Sequence, residues 1–173
     1  IGIRSCYDEG KRVAETLFFD FYRSFDLDIK VARVFNTYGP YMDINDGRVV
    51  SNFIVQALQE KPLTIYGDGS QTRSFCYVDD LVSGLILLMN SDIEVPINIG
   101  NPKEFTMIEL AEKILELSSS EAGYLLHELP EDDPQMRCPD INFAIQNLGW
   151  KPKVELSEGL LPTLDWFRGC LFD

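Results

Sequence analysis

The sequence predicts an α/β fold, because short β-branched runs alternate with longer stretches that have helical apolar spacing. The clearest strand covers residues 29–35. Asn36 follows it directly, and a turn at Gly39-Pro40 breaks the chain soon after. The clearest helix, residues 7–25, precedes this strand. Helices cover both faces of a parallel sheet, and the few strands here lack most of their neighbours. We therefore expect the chain to be part of a larger fold and to be poorly stable alone.

Local signals justify the remaining elements in chain order. Residues 51–59 suit a helix, and residues 63–66 suit a short strand that is closed by a glycine-rich turn. A capping box formed by Thr106 and Glu109 begins a later helix. Pro162 conflicts with the last helix, which must either begin after it or kink there. The other predicted elements are an extended stretch at 73–78, helix 79–89, strand 96–99, helix 106–117, strand 124–129, and helices 140–148 and 157–167.

The composition is typical of a packed globular protein, with 45% hydrophobic and 12% aromatic residues. The net charge of −13 argues against nucleic acid as a partner, since phosphate backbones need clustered lysines and arginines. A phosphate-bearing small ligand needs only a few arginines and remains compatible with this charge. The four cysteines lack metal-ligand spacing, and we expect the single histidine, His127, to be a satisfied strand residue. We therefore predict no metal site.

A tyrosine and a lysine four residues apart, Tyr7 and Lys11, stand at the start of the first predicted helix. This spacing puts both side chains on one helix face, one turn apart. A phenol beside an ammonium ion ionises more readily and can take a proton from a sugar hydroxyl while hydride leaves the same carbon. The pair alone is a weak signal, and a solvated helix start is the other interpretation.

Three arginines are candidates for holding an anionic ligand: Arg48 before a helix, Arg73 in an extended stretch, and Arg137 near a proline-rich segment. A guanidinium group can bind two oxygens of a pyrophosphate or carboxylate at once. The alternative for each arginine is a surface salt bridge, which an acidic chain supplies easily. Phe53 and Tyr66 have rings that could stack on a base, with core packing as their alternative.

Several segments together resemble the extended short-chain dehydrogenase/reductase, or NAD-dependent epimerase/dehydratase, family and within it the UDP-glucuronate decarboxylases. The likeness covers nearly the whole chain in order. It is carried by residues 5–16 (SCYDEGKRVAET), 31–40 (VARVFNTYGP), 46–53 (DGRVVSNF), 71–78 (QTRSFCYV), 98–102 (NIGNP), 133–134 (DP), 137, 139–140 (PD) and 148–150 (LGW). The tyrosine–lysine pair belongs to the entire superfamily, whereas segment 46–53 and the run into residue 137 are more specific to the decarboxylases.

The resemblance implies NAD-dependent conversion of UDP-glucuronate to UDP-xylose through a 4-keto intermediate that loses carbon dioxide. Tyr7 would deprotonate the sugar 4-hydroxyl, Lys11 would support Tyr7 and hold the nicotinamide ribose, and Arg137 would position the sugar carboxylate. The other residues that the resemblance assigns to the UDP-sugar are Asn36, Val50, Ser51, Phe53, Thr64, Tyr66, Gln71 and Arg73. The residues that it assigns to NAD, besides Tyr7 and Lys11, are Phe35, Thr37 and Arg48.

The fold implied by the resemblance is the C-terminal part of a Rossmann-type parallel sheet together with a smaller α/β substrate-binding region. Residues 1–40 and about 72–100 would end the dinucleotide-binding fold, and residues 41–71 and 101–173 would mainly form the sugar-nucleotide region. The sequence has neither the family's glycine-rich loop nor its upstream catalytic residues. We therefore expect a C-terminal fragment that turns over poorly alone. In addition, Tyr41 stands where these enzymes usually carry arginine.

Two other functions remain open from the sequence. A UDP-sugar 4-epimerase or 4,6-dehydratase would need the same tyrosine–lysine pair and NAD, but no partner for a carboxylate. A truncated remnant would bind a sugar nucleotide or nothing at all. The resemblance also implies a homodimer that pairs through helix 7–25. The sequence contains no membrane-spanning run, and we expect a cytoplasmic location, or the Golgi lumen if a further N-terminal segment carries an anchor.

Overall fold

The computed structural model describes residues 2, 5–128 and 136–172, which form an α/β fold. The helices are α1 (Ser5–Phe25), α2 (Val49–Leu58), α3 (Val78–Met89), α4 (Met107–Ser118), α5 (Asn142–Leu148) and α6 (Leu156–Phe172). The strands are β1 (Ala32–Val34), β2 (Thr37–Tyr38), β3 (Leu63–Tyr66), β4 (Thr72–Ser74), β5 (Cys76–Tyr77), β6 (Ile97–Ile99), β7 (Glu104–Thr106), β8 (Tyr124–His127) and β9 (Met136–Arg137). In this described part of the chain, no helix has the length and apolar character that crossing a bilayer demands.

The strands pair mostly in parallel, as the alternation of helices and strands predicts. Strand β1 pairs with β6, β2 with β5, and β3 with β8, all in parallel. Strand β4 lies between β7, to which it is antiparallel, and β9, to which it is parallel. Most of these strands are only two to four residues long, so side-chain packing must supply much of the stability.

One cluster of buried residues joins α3, β6 and α5 around Trp150. The indole Nε1 of Trp150 donates to the carbonyl oxygen of Asp80 at 3.0 Å and to Ser83 Oγ at 3.1 Å. Gly84 allows this approach, because a Cβ atom there would lie 2.9 Å from Trp150 Cε2. The tail of the chain, through α5 and Trp150, therefore packs against the sheet that contains β1.

A larger cluster of buried residues lies between β3 and helices α2, α4 and α6. Its fully buried members include Ile54, Leu110, Leu164 and Phe167. Helix α4 begins with the predicted capping box. Glu109 N donates to Thr106 Oγ1 at 3.1 Å, and Thr106 N donates to Glu109 Oε2 at 2.7 Å. This prediction is confirmed.

Helix α1 has no buried residue, although its length and position agree with the sequence prediction. The predicted apolar stripe is present, but all five of its side chains are exposed: Val13, Leu17, Phe18, Phe21 and Phe25. The helix is tied to β1 by an ion pair in which Arg33 Nε donates to Glu15 Oε2 at 2.9 Å. A helix with this much exposed apolar surface needs a further packing partner.

The structure corrects several details of the predicted elements. The strand expected at 29–35 shortens to β1, and the stretch 73–78 forms two strands, β4 and β5. Strands β7 and β9 were not predicted, because each pairs with a residue run far away in the sequence. Helix α6 begins at Leu156 and continues through Pro162, so a helix that begins after this proline is wrong. His127 lies on β8, where it is exposed, and the predicted strand end at residue 129 lies outside the described residues.

Candidate functional site

Tyr7 and Lys11 lie on one face of α1 and border the same cavity. The ammonium nitrogen of Lys11 is 5.5 Å from the centroid of the Tyr7 ring. The cavity has a volume of about 450 Å³ and is also lined by residues 31–34, which include strand β1. The side chain of Tyr7 is 60% exposed. The two side chains are therefore neighbours beside a cleft, and the catalytic role of the pair stays a prediction.

A second cavity, of about 290 Å³, is lined by all three candidate arginines. Arg48 stands directly before α2, Arg73 lies on β4, and Arg137 lies on β9. Strands β4 and β9 are parallel, and Arg73 pairs in register with Arg137. The other lining residues are Asn36, Thr37, Met42, Val49, Val50 and Phe75, so the charged side chains among the described lining are all cationic. In a chain with a net charge of −13, this arrangement indicates a site for an anion.

Hydrogen bonds hold the backbone and side chains of this arginine cavity. Arg73 is only 9% exposed, and its Nη1 donates to the carbonyl oxygen of Thr72 at 2.8 Å. Ser74 Oγ donates to the carbonyl oxygen of Arg137 at 3.3 Å. Arg48 Nε forms an ion pair with Asp46 Oδ2 at 3.2 Å. These contacts fix the positions of the backbone and side chains from which the guanidinium groups reach the cavity.

The segment after β1 supplies polar side chains to the same cavity. Asn36 Nδ2 donates to the carbonyl oxygen of Ser74 at 3.4 Å, and Thr37 Oγ1 donates to the carbonyl oxygen of Phe35 at 2.9 Å. The backbone N–H of Phe35 donates to the carbonyl oxygen of Ile99 on β6 at 3.2 Å. Ligands of parallel α/β sheets bind beyond the carboxyl ends of the strands, and this segment occupies such a position.

A third cavity, of about 180 Å³, contains Phe53 and Tyr66, the two aromatic residues that could stack on a base. It is lined by Phe53 from α2, by Thr64, Ile65 and Tyr66 from β3, and by Val49, Gln71, Arg73 and Met107. Arg73 and Val49 also line the arginine cavity, so the two cavities are neighbours. Phe53 belongs at once to the hydrophobic core and to this wall, so its core packing is confirmed and its stacking on a base stays a prediction.

One edge of strand β3 faces away from β8 and towards this third cavity. The backbone N–H of Leu63 donates to the carbonyl oxygen of Gly123, just before β8, at 3.0 Å. The N–H of Gly67 donates to the carbonyl oxygen of His127, on β8, at 2.8 Å. Backbone groups alternate in direction along a strand, so those of Thr64 and Tyr66 point the other way. Consistent with this, the N–H of Thr64 donates to Gln56 Oε1 at 3.0 Å.

Not every predicted site residue borders a cavity. Ser51 is fully buried in the first turn of α2, and its Oγ donates to the carbonyl oxygen of Arg48 at 2.8 Å. It helps to fix the start of the helix that carries Val50 and Phe53. Phe35 is half-buried and is not among the residues that line the three cavities.

Several residues of these walls are not predicted from the sequence. Met42, Val49 and Phe75 line the arginine cavity, and Met107 lines the third cavity. Apolar wall residues carry no chemical signal that distinguishes them from core residues. Gln56 was also missed, although a glutamine on the buried side of an apolar helix is unusual enough to attract notice.

The comparisons with known proteins agree on one family. Residues 1–100 match the NAD dependent epimerase/dehydratase family. UDP-glucuronic acid decarboxylase 6 of Arabidopsis thaliana is 60% identical over 97% of this chain and 49% of its own length. UDP-glucuronic acid decarboxylase 1 of Danio rerio is 54% identical over 96% of this chain and 40% of its own length. The chain thus spans about half the length of the curated relatives it matches.

Two solved structures show the same fold with ligands bound. UDP-glucose 4-epimerase of Thermotoga maritima, with UDP-glucose, has a TM-score of 0.88 at 31% identity, covering 93% of this chain and 52% of that one. UDP-glucuronic acid 4-epimerase of Bacillus cereus, with UDP-glucuronic acid and NAD, has a TM-score of 0.83 at 30% identity, covering 90% of this chain and 50% of that one. The chain therefore belongs to the NAD dependent epimerase/dehydratase family.

Proposed function

We propose that the intact protein converts UDP-glucuronate to UDP-xylose by NAD-dependent decarboxylation through a 4-keto intermediate. The observation that carries the proposal is the cavity around which Arg48, Arg73 and Arg137 converge. A substrate with a pyrophosphate and a sugar carboxylate presents two anionic groups, and three guanidinium groups can bind the oxygens of both. The relatives named as UDP-glucuronic acid decarboxylases support the assignment.

In this proposal, the uracil ring occupies the third cavity and the pyrophosphate lies towards the arginines. The carbonyl oxygen of Thr64 accepts from uracil N3–H, and the N–H of Tyr66 donates to a neighbouring uracil oxygen. The rings of Phe53 and Tyr66 provide apolar and stacking contacts. Arg73 borders both cavities and would bind the pyrophosphate between them. Gln71 and Asn36 complete the proposed polar contacts, and Val50 and Ser51 shape the wall.

Tyr7 acts as the base that removes the proton from the sugar 4-hydroxyl. Lys11 lies one helical turn away, with its ammonium nitrogen 5.5 Å from the centroid of the Tyr7 ring. Because both side chains border one cleft, a sugar that enters this cleft meets the phenol and the ammonium together. The same tyrosine returns the proton when the ketone is reduced at the end of the reaction.

The chain's residues fit one end of the cofactor. The cavity beside Tyr7 and Lys11 has apolar walls from Ala14, Phe18 and Val34, which suit a flat nicotinamide ring with its ribose against the ammonium. When bound, NAD supplies the acceptor and later the donor of hydride at the sugar 4-carbon. Phe35, Thr37 and Arg48 would lie on the cofactor side of the strand ends, although Thr37 and Arg48 also border the arginine cavity.

Arg137 holds the carboxylate next to the oxidised carbon and stabilises the negative charge that develops as carbon dioxide leaves. The test of this role in the intact protein is Arg137→Ala with Arg168→Ala as a matched control, since Arg168 forms a local ion pair with Asp165 on α6. The Arg137 variant should still reduce NAD with UDP-glucuronate, while carbon dioxide release slows by about 10²-fold or more. Normal decarboxylation in this variant removes Arg137 from the mechanism.

A UDP-sugar 4-epimerase or 4,6-dehydratase is the second candidate, because the solved structures that resemble this chain include both kinds of enzyme. These reactions keep all six sugar carbons, so the composition of the product separates them from decarboxylation. A non-catalytic remnant is the third candidate. Stabilisation of the protein by UDP alone in a thermal-shift titration favours a remnant that still binds nucleotides, and no response to UDP or NAD favours an inert chain.

We propose the domain layout that the resemblance implies. In this layout residues 1–40 and about 72–100 end a dinucleotide-binding fold, and residues 41–71 and 101–173 mainly form the sugar-nucleotide region. We also propose a homodimer that pairs through α1, whose exposed apolar side chains support such a contact. Size measurement of the intact protein tests the dimer directly.

A further inference from the structure

Gln56 on α2 forms two hydrogen bonds with Thr64 on β3, one through the oxygen and one through the nitrogen of its side-chain amide. Its Oε1 accepts from the backbone N–H of Thr64 at 3.0 Å, and its Nε2 donates to Thr64 Oγ1 at 2.9 Å. We propose that Gln56 is a positioning residue that fixes the open edge of β3 for the base of the nucleotide. This inference rests on the proposed function, in which that edge binds uracil.

The open edge of β3 presents four backbone groups in order. They are the N–H and C=O of Thr64, followed by the N–H and C=O of Tyr66. Gln56 binds the first of these groups, and Gln71 Nε2 donates to the last at 2.5 Å. Among the described residues, the two glutamines therefore leave the C=O of Thr64 as an inner acceptor, followed by the N–H of Tyr66 as an inner donor. An imide such as uracil, with an N–H between two carbonyl groups, complements this pair.

Gln56 acts through Thr64 and has no place in the wall of the cavity itself. Thr64 lines the third cavity, whereas Gln56 lies behind it and is not among the residues that line that cavity. Helix α2 is anchored in the core by Phe53, Ile54 and Ala57, so Gln56 projects from a fixed support. Two hydrogen bonds from a planar amide restrict both the backbone and the side chain of Thr64. Losing them leaves a half-buried N–H without its acceptor and frees the edge to move.

The test compares Gln56→Leu, Gln56→Glu and Gln59→Leu in the intact protein. The measurements are the Kd for UDP by calorimetry, the KM and kcat for UDP-glucuronate, and the Tm. For Gln56→Leu we expect the Kd and KM to rise about tenfold with kcat nearly unchanged. Gln56→Glu should recover most of the affinity, because its carboxylate accepts from the N–H and the Thr64 hydroxyl can rotate to donate. The side-chain oxygen of Gln59 accepts from the exposed Lys61, on the surface of the protein, so its variant should match the wild type.

A double-mutant cycle with Thr64→Val adds a readout that a purely structural role does not move. If Gln56 acts through Thr64, the two substitutions together should weaken UDP binding by less than the product of their separate effects. Independent, multiplicative effects overturn the proposal, as does a Gln56→Leu variant that loses stability while its Kd for UDP stays within about twofold. A wild-type protein that fails to bind UDP contradicts the proposed function itself.

Discussion

Arg73 and Arg137 lie opposite each other on the parallel strands β4 and β9 and border the same cavity. The pairing of the two strands brings these residues together, although they are far apart in the sequence. Guanidinium groups bind the paired oxygens of a pyrophosphate or carboxylate well, and both arginines border one cavity. This relationship turns two individually weak sequence signals into one candidate anion site.

Substituting Arg73 should weaken the binding of UDP much more than the binding of uridine, because only UDP carries the pyrophosphate. We expect Arg73→Met to raise the Kd for UDP by about 10- to 100-fold, in the range of a lost charge-assisted hydrogen bond pair. Calorimetry with both ligands makes the comparison, with Arg168→Met as the control at an exposed arginine. Equal losses for UDP and uridine would mean that Arg73 serves the fold or the base, and not the pyrophosphate.

Asp80 links α3 to the segment that leads into α6, and its loss should destabilise the protein. Its Oδ2 accepts from the backbone N–H groups of Lys153 and Val154, both at 2.9 Å. Asp80→Ala leaves both donors without an acceptor, and we expect a loss of about 2–4 kcal/mol in the free energy of unfolding. Urea denaturation measures this change, with Asp79→Ala as the exposed neighbour. Equal stability of the two variants would show that the link is dispensable.

Gly159 should tolerate no side chain, because two buried tyrosines lie against it. A Cβ atom there would be 2.3 Å from Tyr38 Oη and 2.6 Å from Tyr77 Cδ2. We expect Gly159→Ala to lower the free energy of unfolding by about 1–3 kcal/mol. Gly10 is the matched control, since nothing lies within 4 Å of its added Cβ. Gly10→Ala should stabilise α1 by about 0.5–1 kcal/mol, and the opposite ranking of the two variants would refute the packing.

The ion pair between Glu15 and Arg33 should make the attachment of α1 depend on pH. A hydrogen bond from the Arg33 guanidinium lowers the pKa of Glu15 below its usual range. The stabilisation is therefore present above the pKa of the unfolded state and is lost as the pH falls through the lower pKa of the folded state. Thermal unfolding between neutral and acidic pH should show Glu15→Gln slightly less stable than wild type at pH 7, with the gap closing in acid. A gap that is constant with pH would contradict this.

The sequence predicts elements well where the signal is local. The capping box of Thr106 and Glu109 is one example, and strand β3 agrees with its prediction at both ends. It fails for β7 and β9, which exist only because β4 lies between them. The site follows the same rule. The spacing of Tyr7 and Lys11 on one helix could be interpreted from the sequence alone. The two hydrogen bonds between Gln56 and Thr64, in contrast, depend on the packing of α2 against β3, which no local sequence pattern encodes.

Decarboxylation and epimerisation leave different numbers of carbons in the sugar, so the product of the intact protein distinguishes them. The measurement is the mass of the sugar nucleotide formed from UDP-glucuronate with NAD, together with the carbon dioxide released. We expect UDP-xylose and one equivalent of carbon dioxide, and a rate at least about 10²-fold lower for Tyr7→Phe. A product that keeps six sugar carbons and the carboxylate, formed without carbon dioxide, would contradict decarboxylation at this site.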